Sequence, residues 1–297
     1  MGIETSSTTF GISEYNQADM SYVPDKLGIY RPLIPVTHRN DEYRESDFET
    51  LLKMQSKHFW YLGRHKFLLT ALERHTSDSH QSIIDLGGGV GGWASYIYTN
   101  VPNRFKEIAM GDSSEVALLG ARGVLPKQVD LYQVDLMNLQ MKNRWDIIFL
   151  LDVIEHCPDD LNIVRQAYDA LKPNGKLIVS TPALMVFWSH NDEYGQHLRR
   201  YCIADYRRIS EQSGFKLVDA RYFMFFLSPL YWLSRKAKSK KLTRAELEAA
   251  ILKEHQVPNS FINNLLAKIF LAESPIGHYF HFPWGTSVLG VFEKPGC

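Results

Sequence analysis

Apolar residues fall into two rhythms along this chain. From Asp47 to about His75, Leu51, Leu52, Phe59, Leu62, Leu68, Leu69 and Leu72 recur at helical spacing. That predicts one or two helices, with Asp47 or Ser46 as the N-cap. Beyond His75, short apolar runs alternate with amphipathic ones. Ser82–Leu86, Phe105–Met110, Val129–Val134, Trp145–Leu151 and Lys176–Thr181 read as buried strands. Trp93–Thr99, Ser114–Arg122 and Asp159–Leu171 read as the helices between them, the last one stopped by Lys172-Pro173-Asn174-Gly175. Strands and helices alternating at this spacing predict an α/β, Rossmann-like fold, with a mostly parallel sheet and right-handed crossovers.

The flanks are less regular. Residues 1–45 are polar and turn-rich, with Pro24, Pro32 and Pro35, and predict an irregular arm. After a helix at Ala204–Ser213 and a sixth strand at Phe215–Phe223 comes the aromatic stretch YFMFFLSPLYWL (222–233), then the basic run RKAKSKK. Helical segments at about 243–254 and 259–272 precede a final alternating strand, Gly285–Lys294. The simplest topology is a seven-stranded sheet with a helical insertion before its last strand. The corresponding division is an N-terminal arm and helical cap at 1–75, a core at 76–222, an insertion at 223–284 and the final core strand at 285–297.

Composition narrows the function. Lys plus Arg, at 33, balances Asp plus Glu, at 33, so no global positive field favours nucleic acid. Cys157, Cys202 and Cys297 form neither a CxxC pair nor a disulfide framework, which fits a reducing cytoplasm. The N-terminus lacks the pattern of a signal peptide, and no apolar run approaches the ~20 residues that span a bilayer. A soluble, cytoplasmic protein is the expectation.

The most informative segment is Asp85-Leu86-Gly87-Gly88-Gly89-Val90-Gly91-Gly92, between a strand and a helix. Glycine lets a backbone turn sharply and approach a ligand with no Cβ in the way. The segment parses as G-x-G-x-x-G, a dinucleotide fingerprint, through Gly87, Gly89 and Gly92. It parses equally as D-x-G-x-G-x-G through Asp85, Gly87, Gly89 and Gly91. Downstream, Asp112 ends the second strand, where a carboxylate can meet ribose hydroxyls or serve the next helix as a cap. Asp135 follows the third strand, and the fourth runs into LLDVIEHCPDD, an acidic and histidine-bearing loop that a dehydrogenase does not need.

IIDLGGGVGGW, GDSSEVALLGA, VDLMN, WDIIFLLDVIEHCPDD and ALKPNGKLIVSTP resemble, in order and spacing, class I S-adenosylmethionine (SAM)-dependent methyltransferases. The likeness covers about residues 80–215 and the final strand. HFWYLGRHKFLL and YGQHLRRY resemble the small-molecule branch that contains the ubiquinone-biosynthesis O-methyltransferases. The sequence departs at Gly88, where the family often has Cys or another small residue. The N-terminal 45 residues and the insertion lie outside the likeness, so it carries little about the substrate.

The resemblance implies SAM as cofactor and S-adenosylhomocysteine as product. It assigns Asp85, Gly87, Gly89 and Gly91 to the methionine moiety and ribose, Asp112 and Ser113 to the ribose, and Asp135 and Leu136 to adenine. Leu151 or Asp152 borders the methionine side. Trp60, Tyr61 and Arg64 suit a cofactor cap, an aromatic face for the sulfonium and a guanidinium for the carboxylate; core packing of Trp60 and Tyr61 is the competing reading. His156 is the candidate general base, with Glu155 and His197 as further catalytic candidates. Arg199, Arg200 and Tyr201 suit an acceptor's polar group, and Phe225 and Tyr231 its apolar body. Asp152, Glu155 and His156 also form a weak metal set in which Mg²⁺ is not favoured. The aromatic stretch has three readings: an acceptor pocket, a homodimer interface, or peripheral contact with a membrane surface. The leading function is methyl transfer to a small aromatic or lipophilic acceptor, at oxygen before nitrogen or carbon. The alternatives are a non-catalytic SAM-binding scaffold and an NAD(P)-dependent oxidoreductase.

Overall fold

The computed structural model describes residues 21–36, 48–76, 79–236 and 256–296. Among these residues β1 (Tyr22–Pro24), β2 (Ile29–Pro32), β3 (Gln81–Leu86), β4 (Phe105–Asp112), β5 (Val129–Gln133), β6 (Trp145–Leu151), β7 (Leu171–Pro182), β8 (Lys216–Phe223) and β9 (Ser287–Glu293) form one nine-stranded sheet in the order β1-β2-β5-β4-β3-β6-β7-β9-β8. β3 (Gln81–Leu86), β4 (Phe105–Asp112), β5 (Val129–Gln133), β6 (Trp145–Leu151) and β7 (Leu171–Pro182) are mutually parallel. β9 (Ser287–Glu293) runs antiparallel between β7 and β8 (Lys216–Phe223). The helices are α1 (Phe48–Met54), α2 (Phe59–His75), α3 (Gly92–Asn100), α4 (Glu115–Val124), α5 (Asp160–Ala170), α6 (His190–Tyr194), α7 (Ile203–Ser213), α8 (Ser228–Lys236) and α9 (Ser260–Tyr279).

Two-residue periodicity divides the strands between two cores. Ile84, Ile148, Leu177 and Phe292 face α5 and α7, while Ile83, Ile147, Ile178 and Val291 face α2, α3, α4 and α9. With both faces covered, the central strands are apolar nearly throughout, which is why WDIIFLL reads as a strand. Burying one such Phe or Ile contributes roughly 1.5–3 kcal/mol. The chain leaves β3 toward one face and β6 toward the other, so a crevice opens where their carboxyl ends part.

The sheet has two strands more than the pattern predicts. Residues 21–32 are a β-hairpin rather than an irregular arm: β1 (Tyr22–Pro24) pairs antiparallel with β2 (Ile29–Pro32), and β2 joins β5 in parallel. Asp25 Oδ1 accepts from the amides of Leu27 and Ile29, closing the turn. Tyr30 stacks on Tyr132 with centroids 4.6 Å apart, and the Tyr22 hydroxyl donates to the Leu139 carbonyl at 2.8 Å. The hairpin protects what is otherwise a free sheet edge. Its prolines end the strands, where they cost no ladder bond. The other helix ends agree with the pattern more closely, although α9 runs to Tyr279 and carries Pro275 within it. The predicted helix at 243–254 and the candidate caps Ser46 and Asp47 lie outside the described residues. Among the described residues, no helix is long and apolar enough to cross a membrane.

Candidate active site

The crevice is a cavity of about 870 Å³ that runs from the glycine loop past the loop after β6 to α8. At its floor, Gly87, Gly89 and Gly91 have φ of +73°, +56° and +82°. These are left-handed values that a residue with a Cβ adopts at a cost. A Cβ on Gly89 would stand 3.3 Å from Leu51 of α1, so this turn is tight against the cap. Asp112, at the end of β4, holds the loop in shape. Its Oδ2 accepts from Gly89 N and its Oδ1 from Ser114 N, both at 2.9 Å. Ser114, rather than Asp112, caps α4 through Ala117 N. Asp135 similarly accepts from Met137 N at 2.9 Å, fixing the loop beyond β5.

α2 supplies the opposite wall. His58 caps the helix by accepting from Trp60 N, and the first turn presents Trp60, Tyr61 and Arg64 to the cavity. Arg64 is buried, pairs with Asp152 Oδ2 at 2.7 Å and lies 5.0 Å from the Trp60 ring centre. Burial pushes the Asp85 carboxyl up to about 7, against the opposing pull of Arg64's charge. Two buried atoms here have no hydrogen-bond partner among the described residues, Arg64 Nε and Asp85 Oδ1. A cation donor and an acid acceptor left incomplete in one cavity match a ligand bearing both a carboxylate and an ammonium group.

The third region combines the loop after β6 with α6 and its exit. Glu155 is fully buried and neither of its oxygens has a partner among the described residues. Burial, with the nearby Asp152 charge, drives its pKa well above the ordinary carboxyl range. Burial, reinforced by His197, pushes His156 down to about 3. The His156 and His197 rings meet edge to face, 4.7 Å between centroids. His197 Nδ1 donates to Asp192 Oδ1 at 3.0 Å, because a carboxylate can only accept. Arg200 clamps the same carboxylate, Nε to Oδ1 at 2.7 Å and a terminal nitrogen to Oδ2 at 3.1 Å. Burial alone favours protonated Asp192, but the His197 hydrogen bond and the Arg200 charge outweigh it and hold the acid well below its ordinary value.

Most of the residues singled out in the sequence meet around this cavity. Glu155, His156 and His197 line it, as do Trp60, Tyr61, Arg64, Asp85, Gly87, Gly89, Asp112, Ser113, Asp135, Leu136 and Leu151; so do Arg200 and Tyr231. Four lie elsewhere. Gly91 starts α3 and its absent Cβ faces Leu125. Arg199 turns outward to the Pro158 carbonyl and Asp160, and Tyr201 sits in the core with its hydroxyl on Asp160. Phe225 stacks on Phe282, centroids 4.5 Å apart. The metal set also differs: potential ligand atoms of Glu155, His156 and His197 lie within 4.8 Å of one another, whereas Asp152 is engaged by Arg64. Two imidazoles and one carboxylate do not suit Mg²⁺, which prefers oxygen ligands. Sequence reasoning missed Phe48, Leu51 and Met54 of α1, which roof the glycine loop; their helical spacing was visible but not their destination. Asp192, an acid that the sequence pattern does not set apart, organises His197 and Arg200.

A family model described as a methyltransferase domain matches residues 56–220. A protein of Mycolicibacterium smegmatis, a probable S-adenosylmethionine-dependent methyltransferase, is 25% identical over 173 residues, 57% of this chain and 64% of its own length. The ubiquinone biosynthesis O-methyltransferase of Stutzerimonas stutzeri is 25% identical over 115 residues, 37% of this chain and 48% of its own. The chain thus spans less than two thirds of either curated relative. In fold, a candidate sarcosine dimethylglycine methyltransferase of Galdieria sulphuraria is similar at TM-score 0.53 and 16% identity, over 79% of this chain and 86% of that one.

Proposed function

This chain belongs to the class I SAM-dependent methyltransferases, and from that premise we propose that it methylates a proton-bearing oxygen of a small aromatic or lipophilic acceptor. The observation that carries the reading is the pair of incomplete buried groups, Arg64 Nε and Asp85 Oδ1, beside the glycine loop. Arg64 receives the carboxylate of the cofactor's methionine moiety, and Asp85 its ammonium. Asp112 and Ser113 meet the ribose, Asp135 and Leu136 border the adenine, and Leu151 completes the methionine side. Trp60 and Tyr61 cover the cofactor from α2. When bound, SAM supplies a methyl group on a sulfonium that needs no further activation.

The protein's remaining tasks are to orient the acceptor, exclude water and take up its proton. His197 suits the last task better than His156. With its Nδ1 proton held by Asp192, His197 keeps its Nε2 lone pair for the acceptor, and the ionised Asp192 stabilises the imidazolium that forms. Arg200 fixes Asp192 in place. His156, held neutral down to about 3, is a weak base and packs against the His197 ring instead. Glu155, kept protonated by its burial, donates a hydrogen bond to the acceptor. Tyr231 and Met224 contribute apolar wall on the far side of the cavity.

The test is release of S-adenosylhomocysteine by the wild-type protein, His197→Ala and His156→Ala across a panel of phenols and lipophilic alcohols. His197→Ala should lower turnover about 100-fold or more with SAM affinity retained, and His156→Ala by much less. Equal turnover of His197→Ala and wild type would remove His197 as the base. The reverse ranking would return the role to His156.

A further inference from the structure

We propose that the outward faces of α8 and α9 form a docking surface for an anionic lipid bilayer. α9 is amphipathic in an inverted sense. Its inward face buries Asn263, Phe270, Glu273 and His278, whereas Phe261 and Tyr279, both 78% exposed, stand on its outer face with Leu265 and Ile276. Lys268 is the one exposed charge on this helix. On α8, Leu230 and Leu233, three residues apart and so on one face, are 59% and 61% exposed. The turn before α8 is tied to α9, where Phe226 N donates to Glu273 Oε2 at 2.9 Å, and α8 is tied to the segment after α9, where the Trp284 indole donates to Ser228 Oγ at 3.2 Å. Each helix thus turns large apolar side chains to solvent, Leu230 and Leu233 on α8 and Phe261, Leu265, Ile276 and Tyr279 on α9.

Charge identifies the occupant. Between Asp219 and Glu246 the sequence contains no acid, and between Glu254 and Glu293 its only acid is Glu273, which is fully buried. Arg235, Lys236, Lys238, Lys240 and Lys241 follow closely on Leu233 in the sequence. Exposed Leu and Phe flanked by Trp, Tyr and a basic run is the composition of a segment that sits at the interface of an anionic membrane. The cavity lies beside these elements: Tyr231 and Ser234 of α8, and 256–259 ahead of α9, line it, next in sequence to the exposed Leu230, Leu233 and Phe261. A chain docked here receives a lipophilic acceptor directly from the bilayer, a consequence that rests on the function proposed above.

The experiment is co-sedimentation of the full chain with vesicles of phosphatidylcholine alone or mixed with phosphatidylglycerol, at low and high salt. SAM affinity measured on the same samples reports an intact fold. Binding should require the anionic lipid and weaken with salt. Leu230→Asp/Leu233→Asp and Phe261→Asp should each weaken it about tenfold or more with SAM affinity unchanged, and Lys238→Gln/Lys240→Gln/Lys241→Gln should do the same on anionic vesicles. No binding, or binding indifferent to lipid charge, would overturn the proposal. So would light scattering that finds a dimer dissociated by the leucine substitutions, which would assign the surface to a second copy. Vesicle binding without SAM binding would leave the docking surface standing and sink the catalytic reading instead.

Discussion

Asp85 joins the fold's stability to the cofactor role proposed for it, and replacing it with Asn separates the two. Its carboxyl is buried at the end of β3, and burial raises its pKa from the ordinary 3.8 to about 7 in the folded chain. An acid that holds its proton more tightly when folded favours folding at low pH. That contribution is complete below the unfolded value and is lost as pH rises through the folded one. The whole gap, from 3.8 to about 7, corresponds to roughly 4 kcal/mol, of which about 2 kcal/mol is lost between about pH 5.5 and pH 8.5. Asp85→Asn keeps the shape and removes the charge, so its stability should fall by about 2 kcal/mol less than wild type over that interval. Denaturant unfolding of the cofactor-free protein at a series of pH values measures the difference. Calorimetry adds a second arm. An ammonium group beside Asp85 favours the ionised form, so SAM affinity in wild type should climb until pH passes about 7 and then level off. In Asp85→Asn this dependence should disappear. Parallel stability curves for the two proteins would refute the assignment of a raised pKa to this acid.

Arg64→Met removes the guanidinium proposed to meet the cofactor's carboxylate while keeping most of its length; SAM affinity measured by calorimetry should drop about tenfold to 100-fold, the worth of a charged hydrogen bond. Gly89→Ala forces a Cβ into a φ of +56° and to 3.3 Å from Leu51. It should cost about 1–2 kcal/mol in thermal unfolding and weaken SAM binding, whereas an alanine tolerated without effect on either would contradict the tight-turn account.

The parts of this fold that repeat a simple rhythm are legible in the amino-acid pattern alone. WDIIFLL and KLIVST are buried on both sides, so their apolar runs report strands regardless of neighbours, and the glycine loop reports a turn that only its residues tolerate. The edge hairpin is not legible in that way. Its strands have three and four residues, too few to establish a period, and they are stabilised by long-range contacts such as Tyr30 on Tyr132. Adjacent residues are equally ambiguous. Arg199 and Arg200 look alike in sequence, yet one turns to solvent beside Asp160 and the other clamps Asp192 within the site. His156 and His197 divide in the same way: chain position marks both, but only the tertiary environment depresses one and hands the other an acid partner. Tyr201 and Phe225 have the chemistry of acceptor contacts, and both instead complete packing, against Asp160 and Phe282. The cap residues of α1 escape sequence reasoning because an amphipathic helix declares that it packs, not what it covers.

Everything proposed here depends on the cavity around Arg64, Asp85, Asp112 and Asp135 being built for SAM. Calorimetric titration of the purified protein with SAM, and in parallel with NADH, tests that dependence without any knowledge of the acceptor. Saturable SAM binding at one site per chain, weakened by Arg64→Met, and no heat from NADH are the expected results. A folded protein silent toward SAM, or one that binds NADH in its stead, would contradict them.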